Sequence, residues 1–171
     1  MNDLIAGEVL GKVVAHMHVI EFQKRGLPHA HILIILAAGD RAFTPDLVDS
    51  IVAAELPPDP EDTADDEEKQ QRQRLQIIVL SNMVHGPCGK EKPGSPCMEN
   101  GRCTKKFPKD FQKQTVLDQD NNYPIYRRRS PEHGGRQFVC EKTGRVIDNR
   151  WVVPYIPLSS LQYNCHINGE L

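Results

Sequence analysis

The chain has 171 residues, a net charge of −2, 39% hydrophobic residues and only 6% aromatics, so it is long enough for one domain whose core rests on Val, Ile and Leu. No apolar run reaches the roughly 18 residues of a transmembrane helix, and the opening MNDLIAGEVLGKVV lacks the basic start and cleavage site of a signal peptide. Five cysteines, odd in number and unevenly spaced, argue against a secreted disulfide framework and for reduced thiols or metal binding inside the cell.

Val13 to Gln23 is apolar on both faces as far as Glu21, which predicts a central strand. Val14, Ile20 and Phe22 fall on one face, and Val13, Met17 and Val19 on the other. Lys24 to Pro28 predicts a tight turn, and His29 to Leu36 a second strand ended by Gly39-Asp40. Thr44 is a good N-cap with Pro45 at the first helical position, and Leu47, Val48, Ile51, Val52 and Ala54 give an apolar helix face ending near Glu55. Leu56-Pro57-Pro58 breaks that helix. The acidic residues within 57–68 read as a flexible linker or a frayed helix start, and helix resumes over Glu67–Met83, with Leu75, Ile78, Val79 and Asn82 at helical spacing. Turn signals at Gly86-Pro87, Pro93-Gly94 and Asn100-Gly101 predict a loop-rich segment over 83–111. Gln137–Cys140 and Arg145–Val153 predict a hairpin about Lys142-Thr143-Gly144. Strand, strand, helix, helix and hairpin suit a single α+β domain with a largely antiparallel sheet.

Three groups of residues carry chemistry. His29 and His31 alternate to one face of their strand, and the turn brings Glu21 or Gln23 back toward them. Two imidazoles with one oxygen donor make a three-ligand site with open positions, as catalytic metal sites require. Glu21 is favoured over Gln23, because an anionic oxygen suits Mg²⁺ or Mn²⁺. His16-Met17-His18 repeats the spacing without a nearby turn to fold a carboxylate onto it, and reads as a strand feature or a neighbour of the site.

The second group is His85, Cys88, Cys97 and Cys103, spaced H-x2-C-x8-C-x5-C. Imidazole with thiolates favours a closed tetrahedral Zn²⁺ site, which would help to order a segment poor in core residues. Buried free thiols fit the same spacing, and Cys140 and Cys165 remain as substitutes. The third group is basic. The run Asp59–Glu68 holds seven acidic residues and leaves the rest of the chain net positive. Lys105, Lys106 and Lys109 form one cluster, with Arg102 and Lys113 beside it, and Arg127, Arg128 and Arg129 form another. Such clusters suit phosphate contacts with nucleic acid, although a solvated surface is the ordinary reading of any one charge run.

The string EFQKRGLPHAHIL, with MVHGPCG, SPCMENGRCTKKFPKDF, YPIYRRR, DNRWVVPYIP and QYNCHIN following in order, resembles the replication-initiator domain of Helitron transposases. This is the region called helicase-like at their N-terminus, and it is of the HUH class of single-strand endonucleases. The resemblance runs from about Gly11 to Asn168. It implies a central antiparallel sheet flanked by helices, a divalent cation on the HUH histidines and single-stranded DNA as partner. It also implies a rolling-circle type of transposition in the nucleus, without a membrane. A tyrosine nucleophile is implied too, from a helical pair downstream of the QYNCHIN block. Tyr123, Tyr126, Tyr155 and Tyr163 match no such pair, so the catalytic nucleophile is left unassigned and the chain reads as a truncated piece. No GxxxxGK[ST] occurs, so the helicase domain expected of a full-length relative has no counterpart in these residues. The rival reading is a non-catalytic, zinc-stabilised DNA-binding remnant of a transposon protein.

Overall fold

A computed structural model describes residues 10–22, 28–40, 44–117, 123–141 and 143–170. The chain divides into two compact units, Met1–Phe43 and Thr44–Leu171. The class is α+β, and every strand pairing among the described residues is antiparallel. Among the described residues the strands form four two-stranded ladders rather than one sheet.

In the first unit, β1 (Val13–Phe22) pairs with β2 (Pro28–Leu36). Glu21 lies opposite His29, Val19 opposite His31 and His18 opposite Ile32, and the register slips once between Val13 and Ala15. The ladder is closed at its far end by the Ala37 amide on the Lys12 carbonyl and by the Lys12 amide on Asp40 Oδ2, at 2.8 and 2.7 Å. Gly11 turns there with a φ of +108°, and a Cβ would come within 3.1 Å of the Asp40 Cβ, so glycine suits this corner twice over. Ile20 and Phe22 share one face and Met17 and Val19 the other, as expected, but the slip sets Val13 opposite Leu36 and out of that alternation; β1 has one strand neighbour among the described residues and does not lie in the middle of a larger sheet. Its apolar side chains are accordingly open, from Ile20 at 52% to Phe22 at 72% exposure.

The second unit opens with α1 (Pro45–Ile51), whose Thr44 hydroxyl accepts from the Leu47 amide. The helix stops at Ile51, short of Glu55, because Val52 turns extended and Ala53 bridges to Tyr155. The acidic run is not a flexible linker. Asp59 caps a 3-10 turn at Pro60–Asp62, and Asp65 caps α2 (Asp66–Asn82). Glu61 pairs with Lys69, Glu68 with Arg72 and Asp59 with Arg136. Carboxylates at helix N-termini satisfy orphan amides and oppose the positive end of the helix dipole, so a run of acids there is an ordering signal.

The core is assembled from Leu56, Val79, Met83, Cys88, Ile147, Trp151, Val152 and Tyr155. Each fully buried large side chain contributes about 1.5–3 kcal/mol by removal from water. β7 (Gln137–Val139) and β8 (Val146–Asp148) form the hairpin expected near that position, with Phe138 opposite Ile147 and Gly144 in the turn. Two further short ladders precede it. β3 (Met98–Glu99) pairs with β4 (Arg102–Cys103), and β5 (Val116–Leu117) with β6 (Pro124–Ile125). The last helix, α3 (Pro157–Tyr163), packs on α2 and ends at Asn164, which adopts the left-handed conformation.

Candidate metal centre

Two backbone devices bring His85, Cys88, Cys97 and Cys103 together. The first pins the chain as it leaves α2: the Val153 amide bonds the Met83 carbonyl, the His85 amide bonds the Trp151 carbonyl, and Val84 bridges to Val152. His85 is thereby fixed at the edge of the core, with Cys88 three residues on and buried. The second device is the β3–β4 hairpin. Asn100 and Gly101 both take positive φ, 49° and 75°, as a type I′ turn needs, so the hairpin closes tightly. Cys97 and Cys103 therefore meet across its base, with the Thr104 amide on the Cys97 carbonyl and the Lys106 amide on the Cys103 carbonyl.

All four ligand atoms lie within 4.8 Å of one another, the one such group of three or more among the described residues. Cys103 Sγ is 3.5 Å from His85 Nε2. Bond lengths of about 2.3 Å for Zn–S and 2.0–2.1 Å for Zn–N at tetrahedral angles require an S···N edge of about 3.6 Å. The residues present therefore fit a mononuclear zinc ion in both donor type and spacing.

The surroundings suit that use. Burial, then the positive charges of Arg145, Lys109 and Lys105, pull His85 below its usual value, which favours the neutral form a ligand needs. Its ring is stacked on Phe107, with centroids 4.3 Å apart and planes within 9°. Burial, reinforced by the neighbouring Cys103 and Cys97 sulfurs, pushes the Cys88 thiol up to about 12. At Cys103 burial also acts upward, but amide donors from Phe107 and Lys105 and the Cys88 and Cys97 thiols outweigh it, and the thiol is lowered. Three cysteines and one histidine thus form a site in which the first thiolate already has donors aimed at it.

The hairpin residues stand differently. Register places Glu21, His29 and His31 on one face of the β1–β2 ladder. Glu21 Oε2 is 3.3 Å from His31 Nε2, and both side chains are largely exposed, at 64% and 69%. Gln23, the alternative oxygen donor, lies outside the described residues. His16 and His18 fall on the opposite face, with their rings parallel and 6.4 Å apart.

The arginines of the second basic cluster are engaged with groups of the chain itself. Arg128 is buried at 5% exposure, and its Nη1 donates to the carbonyls of Ala54, Asn149 and Val152. It ties three segments of the core and has no face left for a phosphate. Burial brings it down to about 10. Arg127 is paired with Asp49 and Glu55, and Arg129 holds Glu55 through Nε and Nη2. Lys105 and Lys106 remain exposed, and Lys109 lies 5.1 Å over the Phe107 ring. Reading the sequence missed Glu55, the centre of this network. A lone acid inside the apolar stretch Val52–Pro57 was its signal.

Tyr155 is buried at 2% exposure and donates to the Glu55 carbonyl, and burial together with the Glu55 charge raises its phenol above the ordinary value. It is a core residue. Tyr163 is the last residue of α3, and Tyr123 is exposed at 64% beside β6. No helix of the described residues is long and apolar enough to cross a membrane. No curated protein matches the chain. The family model of the Helitron helicase-like domain at the N-terminus matches residues 1–34, so the stretch that carries Glu21, His29 and His31 is similar to that family.

Proposed function

We propose that this chain is the metal-binding part of a Helitron-type HUH single-strand DNA endonuclease, with Glu21, His29 and His31 as ligands for Mg²⁺ or Mn²⁺. The supporting observation is the register. It sets Glu21 opposite His29 and within 3.3 Å of His31, on one open face, inside the segment that matches the Helitron model. A divalent cation held there would supply Lewis-acid polarisation of a scissile phosphate. Glu21, His29 and His31 would hold that ion on the exposed face of the ladder. Tyr155 is unavailable as a nucleophile, because its hydroxyl is buried and bonded inward. The second unit carries zinc on His85, Cys88, Cys97 and Cys103 and contributes to binding single-stranded DNA in the nucleus.

Calorimetric titration of the full chain with Mn²⁺ tests the ligand set. One equivalent is expected to bind, with affinity reduced at least tenfold in His31→Ala and in Glu21→Ala. Equal Mn²⁺ affinity in those variants would sink the assignment. The second reading, a zinc-stabilised DNA-binding remnant, is favoured by the donor geometry of the tetrad. It prevails if zinc is retained and DNA is bound while Mn²⁺ is not.

A further inference from the structure

The loop leaving the zinc hairpin leads to a cavity of about 550 Å³, lined by Phe111, Lys113, Ser130, His133, Gln137 and Arg150 among others. That volume lies within the roughly 300–1,000 Å³ of small-ligand sites. Its floor is a cation–aromatic pair: the Arg150 guanidinium sits 4.6 Å over the Phe111 ring. Asp148 holds Arg150 flat, accepting from Nε at 3.1 Å and from Nη2 at 2.7 Å, while 40% of the Arg150 side chain stays exposed. The guanidinium is therefore held by Phe111 and Asp148 while part of the Arg150 side chain remains open. The Lys109 amide bonds the Arg150 carbonyl, so the lysine loop and this platform form one piece.

The charges of the lining decide what the cavity suits. Lys113 and Arg150 are balanced by Glu132 and Asp148, and Asp148 is engaged by Arg150. A bare phosphate would find little net attraction there. An uncharged planar heterocycle would find a flat cation to stack on, together with the Gln137 amide. It would also find His133, whose Nδ1 is 2.8 Å from the Ser130 hydroxyl, leaving the other ring nitrogen available. Phosphates belong outside the cavity, on the exposed Lys105 and Lys106.

We propose that this cavity takes one unstacked base of single-stranded DNA, stacked on the Arg150–Phe111 platform, with the adjoining backbone running over the loop of Lys105, Lys106 and Lys109. The proposal rests on the single-stranded DNA reading above and adds a base site to it.

The test is fluorescence anisotropy of the zinc-loaded full chain with labelled oligodeoxythymidine, and with thymidine monophosphate as competitor. Phe111→Ala and Arg150→Lys are each expected to weaken oligonucleotide binding about tenfold, with the salt dependence unchanged because no charge is lost. Phe111→Trp is expected to keep near-normal affinity, which separates lost stacking from lost folding, and zinc content checks the fold of each variant. Lys106→Gln is expected to reduce the salt slope by about 0.7. Oligonucleotide binding by the unaltered chain with Phe111→Ala and Arg150→Lys within twofold of it would overturn the base site alone. Failure of the unaltered chain to bind oligonucleotide at low salt would overturn the DNA reading and the base site with it. Thymidine monophosphate binding as tightly as the oligonucleotide would overturn the polymer as ligand.

Discussion

The two candidate metal-ligand sets of this chain are built in opposite ways. Glu21, His29 and His31 are aligned by strand register on an open two-stranded ladder, and nothing in their alignment depends on burial. His85, Cys88, Cys97 and Cys103 are gathered from a helix exit and a hairpin base into the margin of a core, where Cys88 is 2% exposed and packs with Met83, Trp151 and Val152. An open face suits a ligand set that must admit substrate and water, whereas ligands built into a core suit an ion that holds the fold. The difference teaches that zinc removal should be felt as unfolding, and loss of the hairpin ligands only as lost metal binding.

The largest effect is therefore expected from the tetrad. Structural zinc supplies about 10–16 kcal/mol in zinc-finger peptides, comparable to the whole stability of about 5–15 kcal/mol for a domain. Cys88→Ser, or a strong chelator, should collapse the second unit, read as loss of near-UV dichroism from Trp151. A melting curve unmoved by chelation would mean that the thiols are ordinary core groups and would erase the contrast.

Next comes Glu55, the buried acid of the same unit. Its carboxylate accepts from Arg127, from Arg129 side chain and backbone, and from Asn149. Glu55→Gln leaves the Arg129 guanidinium without its anion and Arg127 with Asp49 alone, and should cost about 2 kcal/mol. Burial acts to raise the Glu55 carboxyl, but the Arg129 hydrogen bonds and the Arg129 and Arg127 charges outweigh it, and the net direction is downward. A lowered carboxyl contributes stability that is complete above the ordinary glutamate value of 4.5 and lost as pH falls through the lower folded value. Acid titration of stability should thus show a loss below pH 4.5 that Glu55→Gln removes. An unchanged acid limb in that variant would assign the loss to other carboxylates.

The hairpin was legible because strand periodicity has a period of two: His29 and His31 must share a face, and the short connection returns Glu21 to it. The tetrad was legible as donor types in order, and Asn100-Gly101 announced the turn that closes it. Less legible was charge. Three consecutive arginines look like a phosphate patch, yet Arg128 is enclosed by three carbonyls and its neighbours serve Glu55 and Asp49. A sequence shows how many charges lie near one another but not which partner, distant along the chain, neutralises them. The acids of 57–68 misled for the same reason, since their capping role depends on where helices begin.

A smaller effect tests that last point within the second unit. Asp65 accepts from the Glu68 amide at the start of α2. Asp65→Ala should destabilise the unit by about 1 kcal/mol, read by urea denaturation. No change would return the acidic run to the status of a linker.

The smallest effect is expected where the contrast began, on the stability of the hairpin. Glu21 and His31 form an ion pair only when the imidazole is protonated, and both side chains are more than 60% exposed. Exposed pairs of this kind are worth little, because water screens them and ordering two side chains opposes them. Substitutions at open surface positions usually stay within about 0.5 kcal/mol. His29→Ala and His31→Ala, melted without divalent metal, should therefore match the unaltered chain, and added Mn²⁺ should raise the melting temperature of the unaltered chain alone, by mass action on its folded state. A loss above about 1.5 kcal/mol without metal would make these histidines structural, and the open-site account of the hairpin would fail while the zinc account stood untouched.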